Sequence, residues 1–214
     1  MANTIEGNLT VTGDLRVIGT ARLPETYGIV RSDLVQESLT PFDLPPETWR
    51  VHDNMDALLP DPPAGADDLG IVSGTFGTGV PSIQTNDLKA AGATTQYARR
   101  MVQLPYNYVA GETVKIRLRG KMVTTVADTT ATVDVQAYLS DNDGAVSGSD
   151  LVTTSATSIN SLTGSDKDFT LTSTSLSPGD WLDVRIAIAV NDAATVTAVK
   201  GCIGRAQLLC DTQG

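Results

Sequence analysis

From about residue 67 onwards, apolar and polar residues alternate in runs that predict β-strands. Such runs lie at residues 97–104, 113–122, 131–139, 167–172, 181–190, 196–203 and 205–210, and weaker ones lie near 71–76 and 83. Alternate side chains of a strand lie on opposite faces, so Leu182, Val184, Ile186, Ile188 and Val190 take inward positions. Roughly eight strands at this spacing, with no long helical pattern between them, predict an all-β, antiparallel, jelly-roll-like β-sandwich over residues 67–214.

A six-residue repeat precedes the sandwich, with glycines at 7, 13 and 19. Each copy places two apolar residues on one face: Leu9, Val11, Leu15, Val17 and Leu23 belong to this set. The spacing predicts a short β-helix-like or β-prism-like arm over residues 1–24. Three copies cannot bury that face alone, because stacked repeats need neighbours. The repeat therefore predicts a homotrimer, and we expect the arm to be its trimerisation and attachment segment.

Residues 25–66 are rich in proline and predict a connector between arm and sandwich. Two short helices are expected in it, at residues 32–38 and from Pro46 towards Leu58. Its apolar residues Leu39, Phe42, Leu44 and Trp49 have no evident partner in so thin a segment. We expect them to contact another protein or protomer; for Trp49 the β domain of the same chain is the alternative partner.

Composition and charge exclude several classes of partner. The chain is 41% hydrophobic and carries a formal net charge of -10, which argues against nucleic-acid binding because that needs a basic surface. The sequence shows no secretory signal and no apolar run near the roughly 20 residues that span a bilayer. Cys202 and Cys210 are too far apart along one strand to pair. They predict two buried thiols, with pairing across a symmetry axis as the lesser alternative.

No constellation of catalytic residues emerges from the sequence. His52 is the only histidine and lies among prolines, and no nucleophile, zinc-binding or phosphate-binding motif is present. Residues 141–144, Asp-Asn-Asp-Gly, have the composition of a calcium loop, but the carboxylate at the twelfth position is missing. They predict a hairpin turn. The expectation is a non-enzymatic protein with no cofactor and no metal.

One basic stripe stands out in this acidic chain. Lys115, Arg117, Arg119 and Lys121 share a face of a predicted strand. They either form an electrostatic contact with an acidic partner or pair across strands with carboxylates such as Asp134 or Asp183.

The hexads of residues 7–15, the segments 31–37 and 49–51, and the Thr-Val-Ala-Asp-Thr stretch at 125–129 resemble tailed-bacteriophage virion proteins. The resemblance is greatest to trimeric decoration (cement) or head-fibre proteins, and it covers most of the chain. It implies a homotrimer on the outer capsid surface, assembled in the host cytoplasm, that binds and stabilises the major capsid protein lattice. The alternatives are a tail or head fibre that binds a host receptor, or a carbohydrate-binding module with aromatic rings for a host-surface glycan.

Overall fold

The computed structural model describes residues 39–213, and this part of the chain is all-β. The strands are β1 (Thr40–Asp43), β2 (Gly70–Val72), β3 (Ser82–Gln84), β4 (Ala90–Gln103), β5 (Val114–Met122), β6 (Thr130–Ser140), β7 (Val146–Ser147), β8 (Thr157–Ser158), β9 (Ser165–Thr170), β10 (Trp181–Asp192) and β11 (Gly201–Cys210). A three-residue 3-10 turn, Pro46–Thr48, is the one helical element between residues 39 and 213. Within those limits no helix is long and apolar enough to cross a bilayer.

The strands form two antiparallel sheets. Sheet I has the order β2-β3-β11-β5-β9, and β1 also pairs with β11. Sheet II has the order β4-β10-β6-β7, and β8 also pairs with β6. The two sheets pack face to face over one hydrophobic core, which confirms the predicted antiparallel β-sandwich.

The inward positions of the long strands build the core as the alternation predicts. Val184, Ile186 and Ile188 of β10 are fully buried. The two sheets approach closely where β11 carries Gly201, because a Cβ there would lie 2.6 Å from Cγ2 of Ile188 in the opposite sheet. A side chain at this position would force the sheets apart.

The sandwich begins at residue 40 and not at residue 67, which corrects the predicted domain boundary. β1 lies within the predicted connector, yet it pairs with β11 through Thr40–Cys210 to Asp43–Gln207. The helix expected from Pro46 towards Leu58 stops at Thr48. After it, the Arg50 N–H donates to the Arg99 carbonyl of β4 (3.0 Å). These backbone groups bond to the edge of sheet II, so they are unavailable for a helix. The other expected helix, at 32–38, lies outside the described residues.

The two strands expected at 196–203 and 205–210 are in fact one strand. β11 runs from Gly201 to Cys210 with an irregular register between Ile203 and Arg205. The stretch before it leaves the sheet: Val196 is 93% exposed, and the Val199 N–H donates to the Asp87 carboxylate (2.9 Å). The bulge at Gly204 lets the strand continue with its pairing to β5 intact on both sides.

Candidate functional site

The outward face of sheet II carries a row of polar and aromatic side chains. β4, β10 and β6 lie side by side there, and their register aligns Met101 with Asp183 and Tyr138, Arg99 with Arg185 and Gln136, Tyr97 with Ala187 and Asp134, and Thr95 with Ala189 and Thr132. We call this surface the sheet II cleft. All twelve side chains are half-buried, although they point away from the core. Depressions lined by these side chains run along the face, so the face is recessed.

Three adjoining depressions make up the cleft. One of about 300 Å³ is lined by Tyr97, Asp134 and Arg185, with the methyl groups of Ala187 and Ala189. A second of about 250 Å³ shares Arg185 and Gln136 with the first and adds Tyr138. The third, of about 530 Å³, lies towards the β6–β7 turn. Shared lining residues make the three depressions one continuous surface.

Small residues in the middle strand create the groove. Ala187 and Ala189 stand between larger side chains of β4 and β6. A methyl group rises little above the sheet, whereas Tyr97 on one side and Asp134 on the other extend well beyond it. The cleft therefore has a floor of alanine with walls that carry rings and hydrogen-bonding groups.

Arg185 is held at the centre of the cleft. Its guanidinium lies over the Tyr97 ring, with Cζ 4.7 Å from the ring centroid, and Nη2 donates a hydrogen bond to Oε1 of Gln136. A cation over a tyrosine face is attracted by the ring quadrupole. These two contacts fix the plane of the guanidinium, and its other N–H groups stay available in the cleft.

A second arginine of the cleft is fully engaged by an ion pair. Arg99 Nε donates to Oδ1 of Asp183 (2.6 Å), and its Nη2 donates to Oδ2. This side-chain hydrogen bonding raises the pKa of Arg99. The two-pronged pair balances the charges of both residues and fixes the wall between the second and third depressions.

The segment after Trp49 forms the outer wall of the cleft beside β4. The Leu69 N–H donates to the Tyr97 carbonyl, and the Tyr97 N–H donates to the Asp67 carbonyl, both at 2.8 Å. His52 lies against Tyr97 on this side of β4, with ring centroids 5.0 Å apart. His52 Nδ1 also lies 3.1 Å from Oδ1 of Asp68. His52 thus supports the central tyrosine of the cleft.

His52, Asp53 and Asp68 are close enough to hold a metal ion. One possible ligand atom from each lies within 4.8 Å of the others. The contact between His52 and Asp68 already explains why these two residues are close, and Asp53 is exposed. We therefore assign these three residues to the outer wall of the cleft.

The residues predicted to contact a partner lie in different surroundings. Trp49 is 0% exposed, and its Nε1–H donates to the Leu44 carbonyl (3.3 Å). Leu44 is buried too. Both side chains pack in the core of their own chain. For Trp49 this is the alternative partner that the sequence left open, and for Leu44 it corrects the expectation of an intermolecular contact. Leu39 and Phe42 are half-buried, and Phe42 lines a separate depression of about 360 Å³ with Trp181. The arm residues Leu9, Val11, Leu15, Val17 and Leu23 lie outside the described residues.

The basic stripe is paired within the chain, on the outward face of sheet I. Arg117 Nε donates to Asp168 Oδ1 (2.6 Å), and Arg119 Nη1 donates to Asp166 Oδ1 (3.1 Å). Lys115 Nζ lies 3.9 Å from Asp168 Oδ2. The cross-strand alternative is therefore correct, but the partners are Asp166 and Asp168, because β9 and not a strand of sheet II lies beside β5. Of the stripe, Lys121 alone has no ion pair with the described residues.

Two smaller predictions can also be compared with the structure. Cys202 and Cys210 are free and buried, and burial raises the pKa of Cys210 to about 11. The turn at residues 141–144 connects β6 to β7, and Oδ1 of Asp141 accepts from the N–H groups of Asp143 (3.1 Å) and Ala145 (2.9 Å). These bonds, chiefly the one from Asp143, lower the pKa of Asp141. The carboxylate thus serves as an acceptor for the turn itself.

The sequence analysis missed the cleft, although part of its signal was visible. The inward assignment of Leu182 to Val190 leaves Asp183, Arg185, Ala187 and Ala189 facing outward, which is an unusual mixture of charged and very small residues. The identity of the neighbouring strands was not visible. Tyr97 and Gln136 reach Arg185 only through the pairing of β4 and β6 with β10.

The fold and the cleft define an antiparallel β-sandwich with a recessed, ring-bearing outer sheet face. No protein-family model and no curated protein matches the chain. Among solved structures it is similar to the CBM22-1 xylan-binding domain from Paenibacillus barcinonensis Xyn10C, with 14% identity over 71% of this chain and 85% of that one and a TM-score of 0.39.

Two further solved structures show the same degree of likeness. For the xylan-binding module CBM15 the identity is 13% over 82% of this chain and 99% of that one, with a TM-score of 0.40. For the enzymatically active domain of bacteriophage CBA120 tailspike protein 4 it is 12%, over 70% of this chain and 18% of that one, with a TM-score of 0.35. Likenesses this distant carry no argument about function, which has to come from the cleft.

Proposed function

We propose that the described domain binds a carbohydrate chain in the sheet II cleft. The observation that carries this proposal is the half-buried Tyr97 ring on an alanine floor, flanked by the planar polar groups of Arg185 and Gln136. A sugar presents apolar C–H faces and a rim of hydroxyls. A ring, a small-residue floor and side chains that donate and accept hydrogen bonds complement both features.

The shape of the cleft favours an extended ligand. Its rows follow β10 from Asp183 to Ala189, and six residue steps of an antiparallel strand cover about 20 Å. Trp181, one further outward position along β10 and 39% exposed, continues the row past Asp183. A chain of several sugars matches these dimensions better than a small compact metabolite does.

The arrangement of carboxylates favours binding over turnover. Both oxygens of Asp183 accept from Arg99, and Oδ1 of Asp134 accepts from the Val135 N–H (2.9 Å). Glycoside hydrolysis requires two carboxyl groups that flank the bond, one of them as a proton donor. In this structure both oxygens of Asp183 face the Arg99 guanidinium instead. We therefore propose a non-enzymatic glycan-binding domain.

The central test is the removal of the Tyr97 ring, which holds Arg185 in place and borders the alanine floor. The full chain is screened on an array of plant, bacterial and animal glycans, and Tyr97→Ala is expected to weaken the best hit by about tenfold, equivalent to about 1.4 kcal/mol. Phe76→Ala is the matched control, because that ring is fully exposed in a loop outside the cleft. Thermal unfolding verifies that both variants fold. Retention of no glycan, or equal losses in the two variants, would contradict the proposal.

The biological setting follows from the sequence and remains a proposal. The hexads of residues 1–24 support a virion protein whose arm attaches and trimerises, and the sandwich would then recognise a host-surface glycan. Decoration of the major capsid protein lattice is the second candidate, supported by the same repeat. In either case we place the protein on the virion, with assembly in the host cytoplasm.

A further inference from the structure

The cations of the sandwich differ in whether a carboxylate accompanies them. Arg99 pairs with Asp183, Arg117 with Asp168, and Arg205 with Asp166. Arg185 does not: its described contacts are the Tyr97 ring and the neutral amide of Gln136. Within residues 39–213, no carboxylate lies at ion-pair distance from its guanidinium. Within the same limits, Arg50 and Arg100 are also half-buried without an ion pair, but Arg50 donates to the Glu47 and Trp49 carbonyls and Arg100 donates to Thr48 Oγ1. Of the two arginines that line the cleft, Arg99 and Arg185, only Arg185 has no ion pair with the described residues.

Two carboxylates line the same cleft, and neither forms an ion pair with Arg185. Asp183 is engaged by Arg99, and Oδ1 of Asp134 accepts from its neighbour's N–H. His52 lies at the wall, beside Asp67 and Asp68. Partial desolvation makes an unpaired charge costly, and an anionic ligand group would offset that cost.

We propose that the sheet II cleft selects acidic glycans, with Arg185 binding the carboxylate of a uronic acid residue. This inference rests on the proposed glycan-binding function and names its ligand class. A guanidinium is planar and presents paired N–H groups that match the two oxygens of a carboxylate. The Tyr97 ring and Gln136 hold the guanidinium plane in place before a ligand arrives. Binding therefore costs little side-chain conformational entropy.

The rest of the cleft fits the remainder of such a sugar. The alanine floor at Ala187 and Ala189 accepts an apolar ring face beside Arg185. Asp134, across the floor from Tyr97, accepts hydrogen bonds from hydroxyl groups. The overall negative charge of the protein repels acidic polymers at a distance, so the selection must come from the direct contact with Arg185.

The test compares each acidic sugar with its neutral counterpart. Short oligomers of galacturonic, mannuronic and glucuronic acid, and the same oligomers after reduction of their carboxyl groups, are titrated into the full chain by calorimetry. We expect at least one acidic oligomer to bind about tenfold or more tightly than its reduced form, equivalent to about 1.4 kcal/mol. This comparison uses the unaltered protein and so does not depend on the folding of a variant.

Substitution then assigns the preference to one side chain. Arg185→Gln is expected to abolish the difference between acidic and reduced oligomers, while Arg185→Lys retains part of it because the charge remains without the fork. Lys89→Gln removes one positive charge from an exposed position outside the cleft and should leave the difference unchanged. Thermal unfolding of each variant verifies the fold.

The outcomes separate the inference from the function on which it rests. If neutral oligomers bind as tightly as acidic ones, the cleft binds glycans and the acidic preference is overturned. If no oligosaccharide binds in this titration or on the glycan array, the proposed function fails and the inference with it. If a poly-glutamate peptide binds as tightly as the acidic oligomers, the cleft recognises carboxylates alone, which overturns the sugar class.

Discussion

At the scale of single residues, Trp49 shows how a proline-rich stretch becomes part of a core. Its indole is fully buried and donates to the Leu44 carbonyl. We expect Trp49→Ala to lower the free energy of unfolding by about 3–5 kcal/mol, because it removes a large buried side chain and leaves a cavity. Trp49→Phe should cost less, since it keeps a ring and loses only the N–H. Urea unfolding measures both, and a near-neutral Trp49→Ala would contradict the burial.

Also at this scale, the sequence could show where a side chain points but not what it meets. The alternation along residues 181–190 correctly predicted which side chains of β10 are buried. It offered no way to foresee Arg185 over Tyr97, since 88 residues of sequence separate the two. Trp49 posed a similar difficulty. Its neighbours in the sequence suggested a thin connector, whereas this segment folds back onto the sandwich and the indole is buried in the core.

At the scale of elements, the pairing of β5 with β9 makes stability depend on pH. Hydrogen bonding from Arg117, opposed by a smaller effect of burial, lowers the pKa of Asp168 in the folded state. A depressed folded pKa means that the pair stabilises the fold above the ordinary aspartate pKa, and that this stabilisation is lost as pH falls through the lowered value.

Asp168→Asn should therefore destabilise the protein at pH 7, by about 0.2–1 kcal/mol for a largely solvated pair. The difference from the unaltered chain should shrink below about pH 3.9 and vanish once Asp168 is protonated in the fold. Chemical unfolding at a series of pH values measures this. Asp56→Asn, at an exposed position, is the control and should show no such trend; a difference for Asp168→Asn that persists at the lowest pH would refute the assignment.

The sequence also did not predict which strands lie next to each other in a sheet. The stripe on β5 was visible as a pattern, but its partners were expected in strands that belong to sheet II. Which strands become neighbours depends on long-range pairing, and in this topology β9 pairs with β5 from across 51 residues of sequence, as in Arg117–Asp168. Local alternation specifies a strand and its two faces, and many sheet orders satisfy the same alternation.

At the scale of the whole molecule, the arm and the cleft together imply multivalent binding. Three copies joined through residues 1–24 would present three clefts, and linked sites bind a polymer more tightly than one site by as much as 10²–10⁴. We expect the full chain to sediment at three times 22.5 kDa, and a chain of residues 39–214 to be monomeric with an unchanged β spectrum. The shortened chain should bind a short oligosaccharide with unchanged affinity per cleft and lose only the gain on an immobilised polymer. A monomeric full chain, or a shortened chain that still trimerises, would show that the hexads do not assemble the protein.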